Sequence, residues 1–376
     1  MNVKVLIKKI SAIVGSIILV AAIIVGDCLC YAHENEITSH LCPEKVVTNV
    51  EETTQTLAES DKVIQRIADE GITLVKNAND TLPLDFENNL NDDGKYDVNL
   101  FGIGSTESDT NGFFVFGAGS GTITLEKKNA VFPKKALENS GFAVNENLYD
   151  FFNARTSNPD ADWWTDDQTE LQYAKYFSQT AVIVISRFTG ENRGDAGLLS
   201  DTCGAQTWEK PWKTTYLDND KDGRNFCQIS QKEEAMIRWC ADNFENVIVI
   251  VNSGNVMELG LLDELDGVDA VMYVPHTGQT GANAIGRILK GEVSPSGRTT
   301  DTFAFSTSEN APYAANAFYS YKEGSSAKQL AYVEDIYIGY KWYETADKEG
   351  FFTAKGTTYD KVVQYPFGYG LSYTEF

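Results

Sequence analysis

Residues 247–254 read Val-Ile-Val-Ile-Val-Asn-Ser-Gly, and this stretch decides the fold. Five consecutive β-branched residues ending in a turn are typical of a strand that is buried on both faces of a sheet. Three other short runs are nearly continuous in apolar residues and also end in turn residues or polar loops: Val98–Ile103, Ala181–Ile185 and Ala270–Val274. Because sheets with a solvated face alternate apolar and polar residues, these four runs predict a buried, parallel sheet.

Helical stretches separate the predicted strands. The clearest are Gln231–Phe244 and Thr280–Lys290, and a further helical pattern starts behind a serine cap at Ser60. Its apolar or small residues recur at three- and four-residue steps: Ile64, Ile67, Gly71, Leu74 and Val75. Strands that alternate with helices predict the α/β class, with a layered, mostly parallel sheet covered by helices on both faces. We assign residues 59–376 to this domain, with a polar insert at about 196–229.

Composition and charge limit the function. Lys and Arg total 31 against 54 Asp and Glu, so the chain carries a formal charge of −23. A field of this sign repels phosphate backbones, which argues against a nucleic-acid partner. Six cysteines and three histidines are too few and too scattered for a zinc framework. Cys203 and Cys227 lie in one polar stretch and are candidates for a disulfide outside the cell.

The N-terminal segment indicates export. An apolar run at residues 10–25 follows a basic start, as in a signal peptide. The basic residues are Lys4, Lys8 and Lys9. We predict a signal peptide or signal anchor at 1–32 and a polar stalk at 33–58, with the rest of the chain at the cell surface or secreted. Cleavage of the leader and its retention as a membrane anchor both stay open.

The loops after the four strands mark where a site is expected. In open parallel sheets, ligands bind beyond the carboxyl ends of the strands. The loop after Ala181–Ile185 carries a charge group within nine residues: Arg187, Glu191, Arg193 and Asp195. His276 follows the strand at 270–274 and falls at the same edge. These residues indicate an edge to search, and by themselves they indicate no reaction.

Several sequence motifs along the chain resemble the motifs of one enzyme family. They occur in that family's order over about residues 60–376: Glu70–Asn77, Val249–Asn255, Gly278–Gly281, Ile285–Gly291, Ser294–Arg298, Glu334–Tyr340 and Pro366–Tyr373. Together they are similar to the α/β-sandwich domain of glycoside hydrolase family 3, which contains β-glucosidases and β-xylosidases. Ala282 replaces a glycine that the family usually has after Gly281.

The resemblance implies an (α/β)6-sandwich that closes one side of a sugar pocket beside a (β/α)8 barrel. In the family, a barrel aspartate attacks the anomeric carbon, and a glutamate of the sheet domain is the acid/base in many members. Thr189–Asp195 resembles the loop with that glutamate, which nominates Glu191. Arg193, Asp195 and His276 are the expected sugar-binding or loop-shaping residues. A solvated surface charge at Glu191 and a histidine without a role are the competing interpretations.

The chemistry expected at Glu191 is that of an exo-acting, retaining β-glycosidase on β-linked glucosides or oligosaccharides. The carboxyl group would protonate the leaving oxygen and then activate water. A free Glu titrates near pH 4.3, so this role requires a raised pKa. Asp195 and a barrel aspartate would raise the pKa of Glu191, whereas Arg187 and Arg193 would lower it.

No stretch of this sequence resembles the Ser-Asp-Trp nucleophile motif of the barrel in a strand-end context. The expectation is therefore a fragment that is inactive by itself, and a barrel on a separate chain is the alternative. A rival from another class is a non-catalytic exported domain that binds carbohydrate or a partner through the same edge. Aryl-glucoside hydrolysis after addition of a barrel distinguishes these readings.

A second candidate site has the spacing of a calcium loop. Asp218, Asp220 and Asp222 precede Gly223 in the pattern D-x-D-x-D-G, in which alternate carboxylates converge on the ion. Ile229 occupies the twelfth position, where a bidentate Glu belongs, so a solvated acidic turn remains the alternative. No other cofactor is expected.

Overall fold

A computed structural model of the chain describes residues 3–34, 37, 50–108, 112–117, 129–156, 168–187, 189, 224, 227–311, 318–320, 328–330 and 334–374. The chain divides into two compact units, Met1–Ala58 and Glu59–Phe376. The first contains helix α1, Val3–Ala32. Among the described residues, the segment Lys8–Ala32 is the one stretch of helix whose length and apolar composition suit a membrane span, and a signal sequence has the same properties.

The second unit is built on a six-stranded sheet with the strand order β1-β6-β5-β4-β2-β3. β2 pairs in parallel with β3 and β4, β4 with β5, and β5 with β6, whereas β1 pairs with β6 antiparallel. The strands are β1 Thr73–Asn77, β2 Tyr96–Phe101, β3 Phe142–Val144, β4 Thr180–Arg187, β5 Asn246–Ser253 and β6 Ala270–Tyr273. The mostly parallel sheet predicted from the four apolar runs is confirmed.

Helices cover both faces of the sheet, as predicted. Along β4, Val182 and Val184 face one core, whereas Ile183 and Ile185 face the other, because successive side chains of a strand point to opposite faces. The first core is covered by α3 Pro133–Asn139, by α8 Asn283–Lys290 and, through Ala68, by the end of α2 Val50–Gly71. The second core is covered by α4 Glu146–Asn153, α5 Thr169–Phe177, α6 Gln231–Asn243 and α7 Gly260–Glu264.

A smaller cluster follows the sheet in the chain. Buried residues of α9 Tyr340–Lys348, α10 Phe351–Ala354 and α11 Tyr359–Val362 form a third core with residues of the ladder between β7 and β10. Here β7 is Phe303–Ala304, β8 is Phe318–Ser320, β9 is Lys328–Leu330 and β10 is Val363–Tyr365. β7 pairs with β10 and β8 with β9, both antiparallel.

Two local predictions are wrong. Helix α2 begins at Val50 instead of behind Ser60, and its first turn carries Glu51 and Glu52, which favour a helix N-terminus. Leu74 and Val75 fit the helical period, but α2 ends at Gly71 and these residues lie in β1. The backbone of Leu74 pairs with Met272 of β6 there, so a contact distant in sequence overrides the local pattern.

Candidate active site

The candidate site lies at the carboxyl ends of β4, β5 and β6, where the topology predicts it. Asn252, near the end of β5, is fully buried and joins three segments of this edge. Its side-chain oxygen accepts a hydrogen bond from the Phe114 backbone N–H at 2.8 Å. Its side-chain amide donates to the carbonyl oxygens of Phe114 and Val274, each at 3.1 Å. The Asn252 side chain thus fixes the segment around Phe114 against the ends of β5 and β6.

Thr189 and His276 meet at this edge. The Thr189 hydroxyl lies 3.2 Å from His276 Nε2 and accepts the Gly254 N–H at 2.9 Å. Thr189 is 1% exposed, and burial lowers the pKa of His276 below its ordinary value. The Thr189 hydroxyl thus links the Gly254 backbone to the His276 ring, and either the hydroxyl or the ring nitrogen can be the donor of their hydrogen bond.

The backbone packs closely around the His276 ring. A Cβ atom on Gly254 would lie 2.4 Å from Thr189 Oγ1 and 3.0 Å from His276 Cε1. A Cβ atom on Gly117 would lie 2.9 Å from the same ring carbon. Real Cβ contacts are longer, so both positions require glycine for this ring position. His276, predicted at this edge from the sequence, is therefore held in a defined position in the described part of the site.

Arg187, the first residue of the charge group, is the last residue of β4 and is buried. Its guanidinium is buried and forms two hydrogen bonds of 2.7 Å to the carboxylate of Glu233, with Nη1 to Oε1 and Nη2 to Oε2. Nη2 also donates to the Gln228 carbonyl at 2.8 Å. Arg187 therefore anchors the end of β4 to the start of α6.

The sequence analysis did not identify Glu233 as a partner of Arg187. Ser230 and Glu233 form a capping box at the start of α6, with the Ser230 N–H donating to Glu233 Oε2 at 2.8 Å. The Ser-x-x-Glu spacing before a helix is a recognisable signal for such a box. Nothing in that spacing indicates that the same carboxylate also pairs with an arginine distant in sequence. Thr189 and Asn252 were likewise not assigned, although both lie at predicted strand ends.

The remaining sequence-predicted site residues lie outside the described residues. These are the acid/base candidate Glu191, its neighbours Arg193 and Asp195, and the three carboxylates of the calcium pattern, Asp218, Asp220 and Asp222. Cys203 also lies outside them, so its pairing with Cys227 stays a prediction. Among the residues that are described, no group of three Asp, Glu, His or Cys side chains is placed to hold a metal ion.

Comparisons with known proteins identify the family of the sheet domain. A model of the glycosyl hydrolase family 3 C-terminal domain matches residues 72–340. A β-glucosidase of Ruminococcus albus is 31% identical over 210 residues, which are 56% of this chain and 17% of that protein. β-Glucosidase A of Butyrivibrio fibrisolvens is 33% identical over 211 residues, covering 55% of this chain and 22% of that protein. The chain therefore spans about a fifth of the length of these relatives.

Solved structures share the fold. The structure of β-glucosidase 3B from Thermotoga neapolitana in complex with glucose matches with a TM-score of 0.60 and 24% identity, over 85% of this chain and 39% of that one. A β-glucosidase from Paenibacillus barengoltzii matches with a TM-score of 0.59 and 24% identity, over 85% of this chain and 30% of that one. At this identity the likeness establishes the α/β-sandwich fold.

Proposed function

Since the chain belongs to glycoside hydrolase family 3, whose C-terminal domain model matches residues 72–340, we propose that it is the acid/base-bearing domain of an exo-acting, retaining β-glycosidase. β-Glucosides are the proposed substrates, because the relatives it resembles are named β-glucosidases. The chain is exported under this proposal, with its N-terminal helix as a cleaved leader or a membrane anchor. A (β/α)8 barrel would supply the aspartate nucleophile.

Glu191 is the proposed proton donor. The observation that supports this most is the ordered cluster of Thr189, Gly254 and His276 at the carboxyl edge of the sheet, because Glu191 follows Thr189 by only two residues. In a retaining enzyme, the acid protonates the departing oxygen and then removes a proton from the attacking water. The carboxyl group must lie about 5–5.5 Å from the nucleophile for this reaction.

The other residues of the edge would orient the sugar. The His276 ring, whose Nε2 faces the Thr189 hydroxyl, has a second ring nitrogen, Nδ1, that would form a hydrogen bond with a sugar hydroxyl. Arg193 and Asp195 would shape the loop or bind further hydroxyls. Arg187 acts indirectly under this proposal, since its ion pair with Glu233 fixes the point where the loop leaves β4.

The test uses the chain alone and the chain joined to, or mixed with, the barrel of a family 3 β-glucosidase. We expect no hydrolysis of an aryl β-glucoside by the chain alone and measurable hydrolysis with the barrel. Glu191→Ala should lower kcat by about 10²–10⁴-fold, the usual contribution of general acid–base catalysis. The matched control is Glu349→Ala, which removes an exposed carboxylate after α9.

Two results would contradict the proposal. If Glu191→Ala hydrolyses the substrate as fast as the parent, Glu191 is not the acid/base. If no barrel restores activity while calorimetry detects glucose or cellobiose binding to the chain, the non-catalytic carbohydrate-binding alternative is favoured instead.

A further inference from the structure

A cavity of about 210 Å³ lies in the described part of the sheet domain, and none of the candidate active-site residues lines it. Its described walls come from the segment after β5, from the residues around β7 and from the start of α9, and they include Met257, Thr302 and Tyr343. A buried water needs only about 10–15 Å³ of such space, so the cavity has room for an organic molecule with several non-hydrogen atoms.

Two polar atoms of the cavity lining are buried without a hydrogen-bond partner. Thr302 is 3% exposed, and its hydroxyl makes no hydrogen bond. Glu334 Oε2 is also buried and unpaired. Native proteins leave few buried polar atoms unsatisfied, so these two atoms are available to a ligand that brings hydrogen-bond donors.

Two acidic side chains line the cavity. Asp301 and Glu334 line it, and within the described part of the chain no lysine or arginine forms an ion pair with either of them. Burial raises the pKa of Asp301, and the Thr302 backbone N–H, which donates to Asp301 Oδ1 at 2.8 Å, opposes this only in part. Burial, and then the carboxylates of Asp301, Glu309 and Glu258, raise the pKa of the Tyr343 phenol well above its usual range. A ligand with positive charge would relieve this surplus.

The remaining walls are apolar and aromatic. Val256, Met257, Ala304 and Ile338 line the cavity together with Tyr343. An aromatic ring attracts a cation through its electron-rich face, and carboxylates attract the same charge directly. Because no three acidic, histidine or cysteine side chains among the described residues converge as metal ligands, the walls suit an organic cation better than a bare metal ion.

We propose that this cavity binds a small primary ammonium ion, with its N–H groups donating to Glu334 Oε2 and Thr302 Oγ1 and its carbon atoms facing Met257 and Ile338. This site is independent of the proposed glycosidase activity, since none of its lining residues is assigned to the sugar site. Its ligand class is a short-chain amine.

The experiment is calorimetric titration of the full chain in mild detergent with methylammonium and ethanolammonium chloride. Saturable binding of both is expected. Tetramethylammonium has the same charge but no N–H group, so it should bind at least tenfold more weakly. Glycerol, with hydroxyl groups and no charge, and the chlorides of sodium, potassium and calcium should give no saturable heat.

Glu334→Gln should weaken methylammonium binding at least tenfold, whereas Glu349→Gln, the same charge change at an exposed position, should leave it unchanged. Thr302→Val keeps the volume of the side chain and removes an unsatisfied hydroxyl. It should therefore fold as well as the parent and bind the amine several-fold more weakly.

Three results would overturn the proposal. The first is no saturable amine binding by the folded parent chain. The second is equal binding of methylammonium and glycerol, or of methylammonium and tetramethylammonium. The third is that the parent chain binds calcium but no amine, and that Glu334→Gln abolishes the calcium binding. This result would reassign the cavity to a metal ion. Sugar hydrolysis enters none of these readouts, so they are separate from the test of Glu191.

Discussion

The Arg187–Glu233 ion pair should make a large contribution to the stability of the sheet domain. The two side chains are 0% and 3% exposed, so each charge depends on the other for its compensation. Removing one partner of a buried pair leaves an uncompensated charge and typically lowers the free energy of unfolding by about 3–5 kcal/mol. Glu233→Gln keeps the shape of the side chain and an acceptor for the Ser230 N–H, so we expect a loss of about 3 kcal/mol from the charge.

The measurement is urea unfolding of the full chain, followed by far-ultraviolet circular dichroism. The matched control is Glu70→Gln in the exposed Arg66–Glu70 pair, whose side chains are 80% and 63% exposed. Such surface pairs contribute about 0.3–0.5 kcal/mol, so the control should barely move the midpoint. A loss below about 1 kcal/mol in Glu233→Gln would refute the buried pair.

The double variant Arg187→Met with Glu233→Leu gives a second, independent check. Replacing both charges by apolar side chains leaves no uncompensated charge, so the double variant should lose less stability than the sum of the losses in Arg187→Met and Glu233→Leu. If the free energy of unfolding of the double variant falls by as much as the sum of the losses in the two single variants, the two side chains do not interact.

Three further predictions concern the same domain. Gly254→Ala places a methyl group 2.4 Å from Thr189 Oγ1 and should lower the free energy of unfolding by about 1–3 kcal/mol. The control is Gly71→Ala, whose methyl group would have no atom within 4 Å and should be tolerated. Urea unfolding measures both variants. Burial lowers the pKa of His276 in the folded chain below its value in the unfolded chain, so the folded chain loses stability as the pH falls through this range and the unfolded chain takes up the proton first. Between pH 7.5 and pH 5, the Tm of His276→Gln should therefore fall less than the Tm of the parent. Parallel curves of Tm against pH would contradict this. The Cys240 thiol is fully buried, and burial raises its pKa well above the usual value. An alkylating reagent should therefore modify Cys240 only after unfolding, as measured by mass spectrometry. Alkylation of Cys240 in the native chain would contradict the packing of α6.

The central sheet was predictable from the sequence because its strands are buried on both faces. β5 needs apolar residues at every position from Val247 to Val251, and such a run has little alternative to a strand that is buried on both faces. β1 was not predictable in the same way. Leu74 and Val75 fit the period of the preceding helix, and only pairing with β6, about 200 residues later, makes them a strand.

The candidate site was predictable in its place and less so in its contacts. Parallel strands bring their carboxyl ends to one edge, so His276 could be placed there before any coordinates. The direction in which a charged side chain turns depends on the residues packed around it. Arg187 turns towards Glu233 because the start of α6 offers a carboxylate in a buried position, and no local pattern around residue 187 contains that information.

Proton donation by Glu191 is tested most directly by varying the leaving group. In the barrel-complemented enzyme, kcat/KM is measured for a series of aryl β-glucosides, from dinitrophenyl to unsubstituted phenyl, with the parent and with Glu191→Ala. An acidic phenol departs without protonation, so the variant should keep most of the glycosylation rate on the dinitrophenyl substrate and lose about 10²-fold or more on the phenyl substrate. Equal losses along the whole series, or no loss at all, would contradict the assignment.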